Sequence, residues 1–262
     1  MSRTSVHLDE LFLSIQGEAG QVGRPHIFAR FGGCPLRCDY CDTPRSWQRT
    51  ADAEYHGVNG VARLKNPFSA EQFEQQLHRL AAEHGLDARQ LVISITGGEP
   101  LAQAEFLQAW LPQWNGPVLL ETAGIYPQRL EQLLPHLRYL SLDWKADLDL
   151  NAGQPLLNPA ECLRLAAPYL ANSSLAHPSR PLQLWVKLVV HQTTSSAWLQ
   201  QSLRQIAELV PGVKVFLQPV TAGYGSFNAP PSSALLAELI QAHALPLDLR
   251  VLPQIHPFLG AL

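Results

Sequence analysis

From His26 onward, short apolar runs alternate with amphipathic stretches, and this alternation limits what the chain can fold into more than any other property. HIFARF, LVISIT, PVLLET, YLSLDW, LQLWVKLVV, VKVFLQ and LRVLPQ read as about seven strands. Between the first two lies a well-marked helix. Ser69 followed by Gln72 has the form of a capping box, Phe73, Leu77 and Leu80 fall on one face, and Gly85 supplies a stop. Further helices are expected over 102–110, 128–134, 195–210 and 232–244. Strands that alternate with helices pair in parallel through right-handed crossovers. The pattern therefore predicts an α/β fold: a partial, open TIM-like barrel of about six to seven mostly parallel strands with outer helices.

A chain of 262 residues fits one large domain, 1–262, with a C-terminal strand element at about 246–262. The polar stretch at about 45–67 lacks a clear period and reads as an insertion lying over one end of the sheet. Pro-rich ground at 153–159 and 178–181 interrupts the alternation without ending it.

The unusual polar residues follow the strands. Three cysteines come after the first, Thr96 to Glu99 after the second, and Glu121 and Thr122 close the third. Asp143 and Lys145 close the fourth, His191 follows the fifth, Gln218 ends the sixth, and Gln254 and His256 follow the seventh. Active sites of parallel α/β folds lie at the C-terminal ends of the strands, so these residues are expected to converge. With 19 basic and 22 acidic residues the chain has a formal charge of −3, which argues against a nucleic-acid partner and for a small-molecule substrate. The first apolar stretch carries Asp9, Glu10 and Glu18 and does not read as a signal peptide. No run is long enough to span a membrane. The expected location is the reducing cytoplasm, where cysteines serve as ligands or nucleophiles rather than disulfide partners.

In GGCPLRCDYCDT, Cys34, Cys38 and Cys41 have the spacing C-x3-C-x2-C, which lets three thiolates on one compact loop face a single cluster. A cubane iron-sulfur cluster has four iron corners, so three cysteines leave one iron open to activate something else. Zinc is the competing reading, but a structural zinc site needs a fourth ligand, and only His26 or the distant Cys162 offers one. Cys162 lies in the apolar helical run ECLRLAA and reads as a buried, inert thiol.

The cysteine spacing, with Tyr40 just before the last cysteine, resembles the radical S-adenosylmethionine superfamily, and ITGGEP at 95–100 resembles its methionine-binding element. The resemblance implies a [4Fe-4S] cluster on Cys34, Cys38 and Cys41. Its open iron would chelate S-adenosylmethionine, and one-electron cleavage would give a 5′-deoxyadenosyl radical. Tyr40, Gly97, Gly98 and Glu99 would contact that cofactor, the glycines by close backbone approach and the carboxylate or nearby carbonyls by accepting from its ammonium group.

Within the superfamily, the segment from Leu11 to Thr43 resembles the 7-carboxy-7-deazaguanine synthases of queuosine and deazapurine biosynthesis, with weaker echoes in ITGGEP, ETAG, VFLQPV and RVLPQIH. This resemblance implies conversion of 6-carboxy-5,6,7,8-tetrahydropterin to 7-carboxy-7-deazaguanine by ring contraction with loss of ammonia. The radical would abstract hydrogen from C6 and later return one. The chemistry is carried by the cluster and the radical, and no side chain is assigned a catalytic step. Gln16 and Glu18 would read the pyrimidine edge, and Arg30 would clamp the carboxylate as a bidentate pair. Thr96 would touch substrate, Ser141 and Gln218 the cofactor, and Thr43 would give a hydroxyl ligand to Mg2+. An electron-donor protein such as flavodoxin or ferredoxin and a homodimer are likewise implied.

By residue chemistry alone, Gln16 and Glu18 also suit a solvated turn, Arg30 a structural salt bridge and Thr43 a turn before Pro44. Asp143, Lys145 and Lys187 receive no catalytic role, and His256 suits either a substrate contact or a backbone cap. The chain departs from the family pattern at ETAG, GEAG and His256-Pro257. Two other readings compete: a glycyl-radical-enzyme activating enzyme, which Asp143-x-Lys145 faintly resembles, and a non-catalytic zinc- or cluster-binding module.

Overall fold

The computed structural model describes residues 4–146, 157–170, 181–221 and 241–260. The expected helix at 232–244 and the Pro-rich stretches at 153–159 and 178–181 lie largely outside them. The described strands are β1 (Ser5–Val6), β2 (Leu8–Ile15), β3 (Pro25–Phe31), β4 (Asp52–Gly57), β5 (Gly60–Lys65), β6 (Phe68–Ser69), β7 (Val92–Gly97), β8 (Val118–Thr122), β9 (Tyr139–Asp143), β10 (Gln183–Val190), β11 (Lys214–Pro219) and β12 (Asp248–Val251). Ten of them form one sheet in the order β12-β11-β10-β9-β8-β7-β3-β2-β4-β5, while β1 and β6 pair separately. The run from β3 through β12 is parallel throughout, and its seven strands are the seven expected from the apolar runs. The sheet ends at β12 on one side and β5 on the other, so the barrel is open.

Alternation along each parallel strand sorts side chains into two environments. Outward positions such as Ile27, Ile93, Leu120, Leu140, Val186 and Val215 are at most 1% exposed and build the main core. Helices α1 (Ala70–Glu83), α2 (Ala104–Trp110), α3 (Pro127–Glu131), α4 (Pro159–Ala166) and α5 (Ser196–Leu209) accompany these strands, and apolar side chains of α1, α2, α4 and α5 join that core. Helix α1 begins with the expected capping box: Gln72 N donates to Ser69 Oγ at 3.2 Å and Ser69 N donates to Gln72 Oε1 at 2.9 Å. Its Phe73 ring meets Phe31, Phe106 and Trp110 edge-on, with centroids 5.0–6.3 Å away.

Inward positions form layers. Near the strand starts, Val92, Leu119, Tyr139, Trp185 and Phe216 make a second, smaller apolar cluster around Ala19. Ala19 belongs to the loop between β2 and β3, which turns up into the barrel and closes that end. A Cβ on Gly20 would stand 2.6 Å from the Trp185 ring, so only glycine lets the loop seat there. Above this floor the inward positions become polar.

Of the segment 45–67, only its start lies over one end of the sheet, where Ser46 and Trp47 hold the cysteine loop and line the cavity; the rest joins the sheet itself. It supplies β4 and β5, a hairpin that joins the edge through a parallel pairing of β4 with β2. Its period is weak because Ala53 and Tyr55 are its only buried strand positions and β5 is half-exposed or exposed throughout. Strand β2 runs antiparallel to β3, with a register irregularity between Leu8 and Glu10 that blurs its alternation.

Candidate functional site

The polar layer and the loops above it enclose a cavity of about 210 Å³. Gln16, Glu18, Arg30, Cys34, Cys38, Tyr40, Cys41, Thr43, Thr96, Gly97, Gly98 and Gln218 all line it, although they span most of the sequence. Glu121, Asp143, Lys145, Lys187, Gln254 and His256 line it as well. Ser141 does not: it sits within β9 opposite Glu121 and Trp185, 3% exposed. Cys162 is fully buried in the outer core on α4, as expected of an inert thiol.

The cysteine loop follows β3 and is held by its own backbone. Gly33 N donates to Ser46 O at 2.8 Å, Cys34 N to Trp47 O at 3.1 Å and Cys41 N to Cys38 O at 3.1 Å. Arg37 Nη1 closes the loop on the carbonyls of Cys34 and Leu36, both at 2.7 Å. Burial pushes the Cys34 thiol up to about 12, so a thiolate there needs a bound cation beside it. The three sulfurs on this loop all line one cavity and together fit a metal cluster.

The GGE turn after β7 interlocks with that loop. Gly98 N donates to Phe31 O at 2.9 Å and Glu99 N to Gly33 O at 3.1 Å. A Cβ on Gly97, at φ +133, would fall 2.3 Å from the Phe31 backbone, and one on Gly98 would fall 2.6 Å from Gly33 O. These glycines thus permit close approach to the cysteine loop. The Glu99 carboxylate points away from the cavity, accepting from Leu101 N (3.0 Å), Thr122 Oγ1 (2.7 Å) and Ala123 N (2.9 Å). It ties the ends of β7 and β8 together and is not among the residues that line the cavity. Burial raises its pKa against those hydrogen bonds.

On the far side, charges compensate one another. Lys187 Nζ lies 2.6 Å from Glu18 Oε2 and 3.3 Å from Asp143 Oδ1, and Lys145 Nζ lies 2.6 Å from Asp143 Oδ2. Glu18 Oε1 accepts from Gln254 Nε2 at 2.6 Å and Gln218 Nε2 at 3.2 Å. Burial works against the Glu18 charge, but the Lys187 ammonium and the Gln254 amide hold its pKa below the ordinary value. Burial likewise works against Lys187, and Asp143, Glu18 and Glu121 outweigh it, raising its pKa. Glu121 is the exception. Burial pushes it up to about 7, with Lys187 opposing and the Glu18 and Asp143 carboxylates adding. Its one hydrogen bond in the described structure comes from Gln16 Nε2, at 3.1 Å.

Arg30 lies on the inner face of β3, its Nε donating to Glu10 Oε2 at 2.9 Å. Thr43 starts a short helical turn without using its hydroxyl as a cap. Sequence reasoning gives no role to Glu121 or Gln254, and their place at strand ends was the available signal.

Comparison with known proteins adds three findings. Residues 16–117 match a family model described as a 4Fe-4S single cluster domain. A 7-carboxy-7-deazaguanine synthase of Geobacter sulfurreducens is 30% identical over all of both chains, and one of Methanopyrus kandleri is 32% identical over 94% of this chain and 90% of its own. The crystal structure of QueE from Escherichia coli superposes with a TM-score of 0.57 at 21% identity, covering 94% of each chain, which speaks for the fold.

Proposed function

Because this chain belongs to the 7-carboxy-7-deazaguanine synthase family, we propose that its cavity binds 6-carboxy-5,6,7,8-tetrahydropterin beside S-adenosylmethionine and yields 7-carboxy-7-deazaguanine with loss of ammonia. It is a radical S-adenosylmethionine enzyme, a carbon-nitrogen lyase. The observation that carries the substrate reading is that the cysteine loop and the set Gln16, Glu18, Arg30 and Thr96 line one cavity. Neither a glycyl-radical activase nor a non-catalytic module calls for that polar set.

Cys34, Cys38 and Cys41 would hold the [4Fe-4S] cluster, and the donor set fits, being three sulfurs on one loop that line one cavity. When bound, cluster and S-adenosylmethionine supply the 5′-deoxyadenosyl radical. The protein's part is to bind, orient and exclude water. Gly97, Gly98 and Gln218 flank the cofactor, with Tyr40 closing the wall beneath Lys145, whose Nζ is 5.3 Å from the ring centroid. Ser141 would act at most through its neighbours in the strand layer.

Gln16 and Glu18 face the pterin's pyrimidine edge. Three donors fix the Glu18 carboxylate, yet a carboxylate offers about four acceptor sites, so capacity remains for a ligand N–H. Arg30 receives the substrate carboxylate and Thr43 the Mg2+. From the family we carry over a flavodoxin- or ferredoxin-class electron donor, a homodimer and a cytoplasmic setting. No described helix is long and apolar enough to cross a membrane.

The test is anaerobic incubation of the reduced, reconstituted enzyme with S-adenosylmethionine, Mg2+ and the carboxytetrahydropterin, read by mass spectrometry. The deazaguanine acid is expected, and 5′-deoxyadenosine alone would overturn the substrate assignment. Cys38→Ala should remove the broad absorbance near ~400 nm that thiolate-bound cluster gives.

A further inference from the structure

Glu10 is one carboxylate near the cavity to which no function above gives a role. We propose that Glu10 is a positioning residue that presents Arg30 to the substrate carboxylate, an inference that rests on the reading of Arg30 as the carboxylate clamp. On β2, Glu10 stands directly opposite Arg30 of β3, and its Oε2 takes the Arg30 Nε proton at 2.9 Å. Nε is the inner nitrogen of the guanidinium fork. With it engaged, the two Nη groups are left as a parallel pair, the arrangement that grips a carboxylate end-on. The Phe12 ring, 5.8 Å from Arg30 Cζ, backs the same guanidinium.

The neighbouring charges fit this division of labour. Glu54 on β4 lies opposite Glu10, and oxygens of both carboxylates fall within 4.8 Å of each other and of a His56 nitrogen. Such a trio resembles a cation site, but its charge is already met by arginines. Arg45 Nη1 takes Glu54 at 2.7 Å and Arg45 Nε takes Asp9 at 2.8 Å. Glu10 is thereby left to Arg30.

The experiment measures dissociation constants of 6-carboxypterin and of pterin lacking the carboxyl for the reconstituted holoenzyme, with KM and kcat for the substrate. Glu10→Ala should weaken 6-carboxypterin about tenfold and raise KM in step, leaving pterin within about twofold and kcat within about threefold. Glu10→Gln keeps an acceptor for Nε and should recover most of that loss. Should Glu10→Ala fail to fold, Glu10→Asp, which withdraws the acceptor by one methylene, is expected to show the same selective weakening. Equal loss for both ligands, or none, overturns the proposal. Arg30→Lys in the same assay separates the two readings. If it leaves 6-carboxypterin unaffected, the clamp itself falls. If it weakens that ligand while Glu10→Ala does not, the role of Glu10 alone falls.

Discussion

Lys187 stands between two carboxylates that are mostly shielded from solvent, Glu18 and Asp143, and is itself only 8% exposed. Replacing it by Met would leave both acids without that cation; breaking a fully buried pair costs about 3–5 kcal/mol, and because these carboxylates line a cavity the expected loss is at the lower end, about 2–3 kcal/mol. Denaturant unfolding of Lys187→Met should show a loss of that order. Glu121 behaves in the opposite sense. Its folded-state pKa of about 7 lies above the ordinary 4.5, so its contribution to stability is whole below 4.5 and is lost as the pH rises through 7. Glu121→Gln should therefore flatten the decline in melting temperature across that window. If the group touches substrate, the same variant should also remove a limb of apparent pKa near ~7 from the profile of kcat/KM against pH. Most residues that line the cavity were legible from the sequence because they are polar where a strand ends. Their partnerships were not, since nothing in the order of residues reveals that Glu18 meets Lys187, Gln218 and Gln254, which lie 169, 200 and 236 positions away.

Among the elements, those with a strong local code were read most fully. Helix α1 has its cap, its apolar face and its stop written within about one helix length, and Ser69→Ala should lower stability by about 1 kcal/mol in thermal or chemical unfolding. The seven parallel strands, covered on their outer face by helices, announce themselves as continuous apolar runs. Strands β2, β4 and β5 escape that code for physical reasons. A register irregularity shifts the β2 pattern, and the hairpin from Asp52 to Lys65 sits at an edge where burial demands little of its composition. Glu99 looks like a ligand in sequence and serves as a tie in structure, because only the fold shows that three donors, from its own turn and from the end of β8, already occupy it.

At the scale of the molecule, the sheet is open at its sides, at β12 and β5, while its lower end is closed by the loop that carries Ala19 and Gly20. Gly20→Val would drive a side chain into Trp185, and overpacking of this kind costs about 1–3 kcal/mol. The expected result is a lower melting temperature together with weaker pterin binding, since Gln16 and Glu18 ride on the same loop. The fold class was legible because alternation of strand and helix dictates it. The closure was not, because it depends on a glycine fitting against a tryptophan 165 positions later. That separation has a bearing on how the chain is made. The plug is synthesised before all five residues that seat it, from Val92 to Phe216, so it is made first and docked late. Until Trp185, Phe216 and Gln254 arrive, Glu18 waits in water as an ordinary carboxylate, and the interior it will complete does not exist.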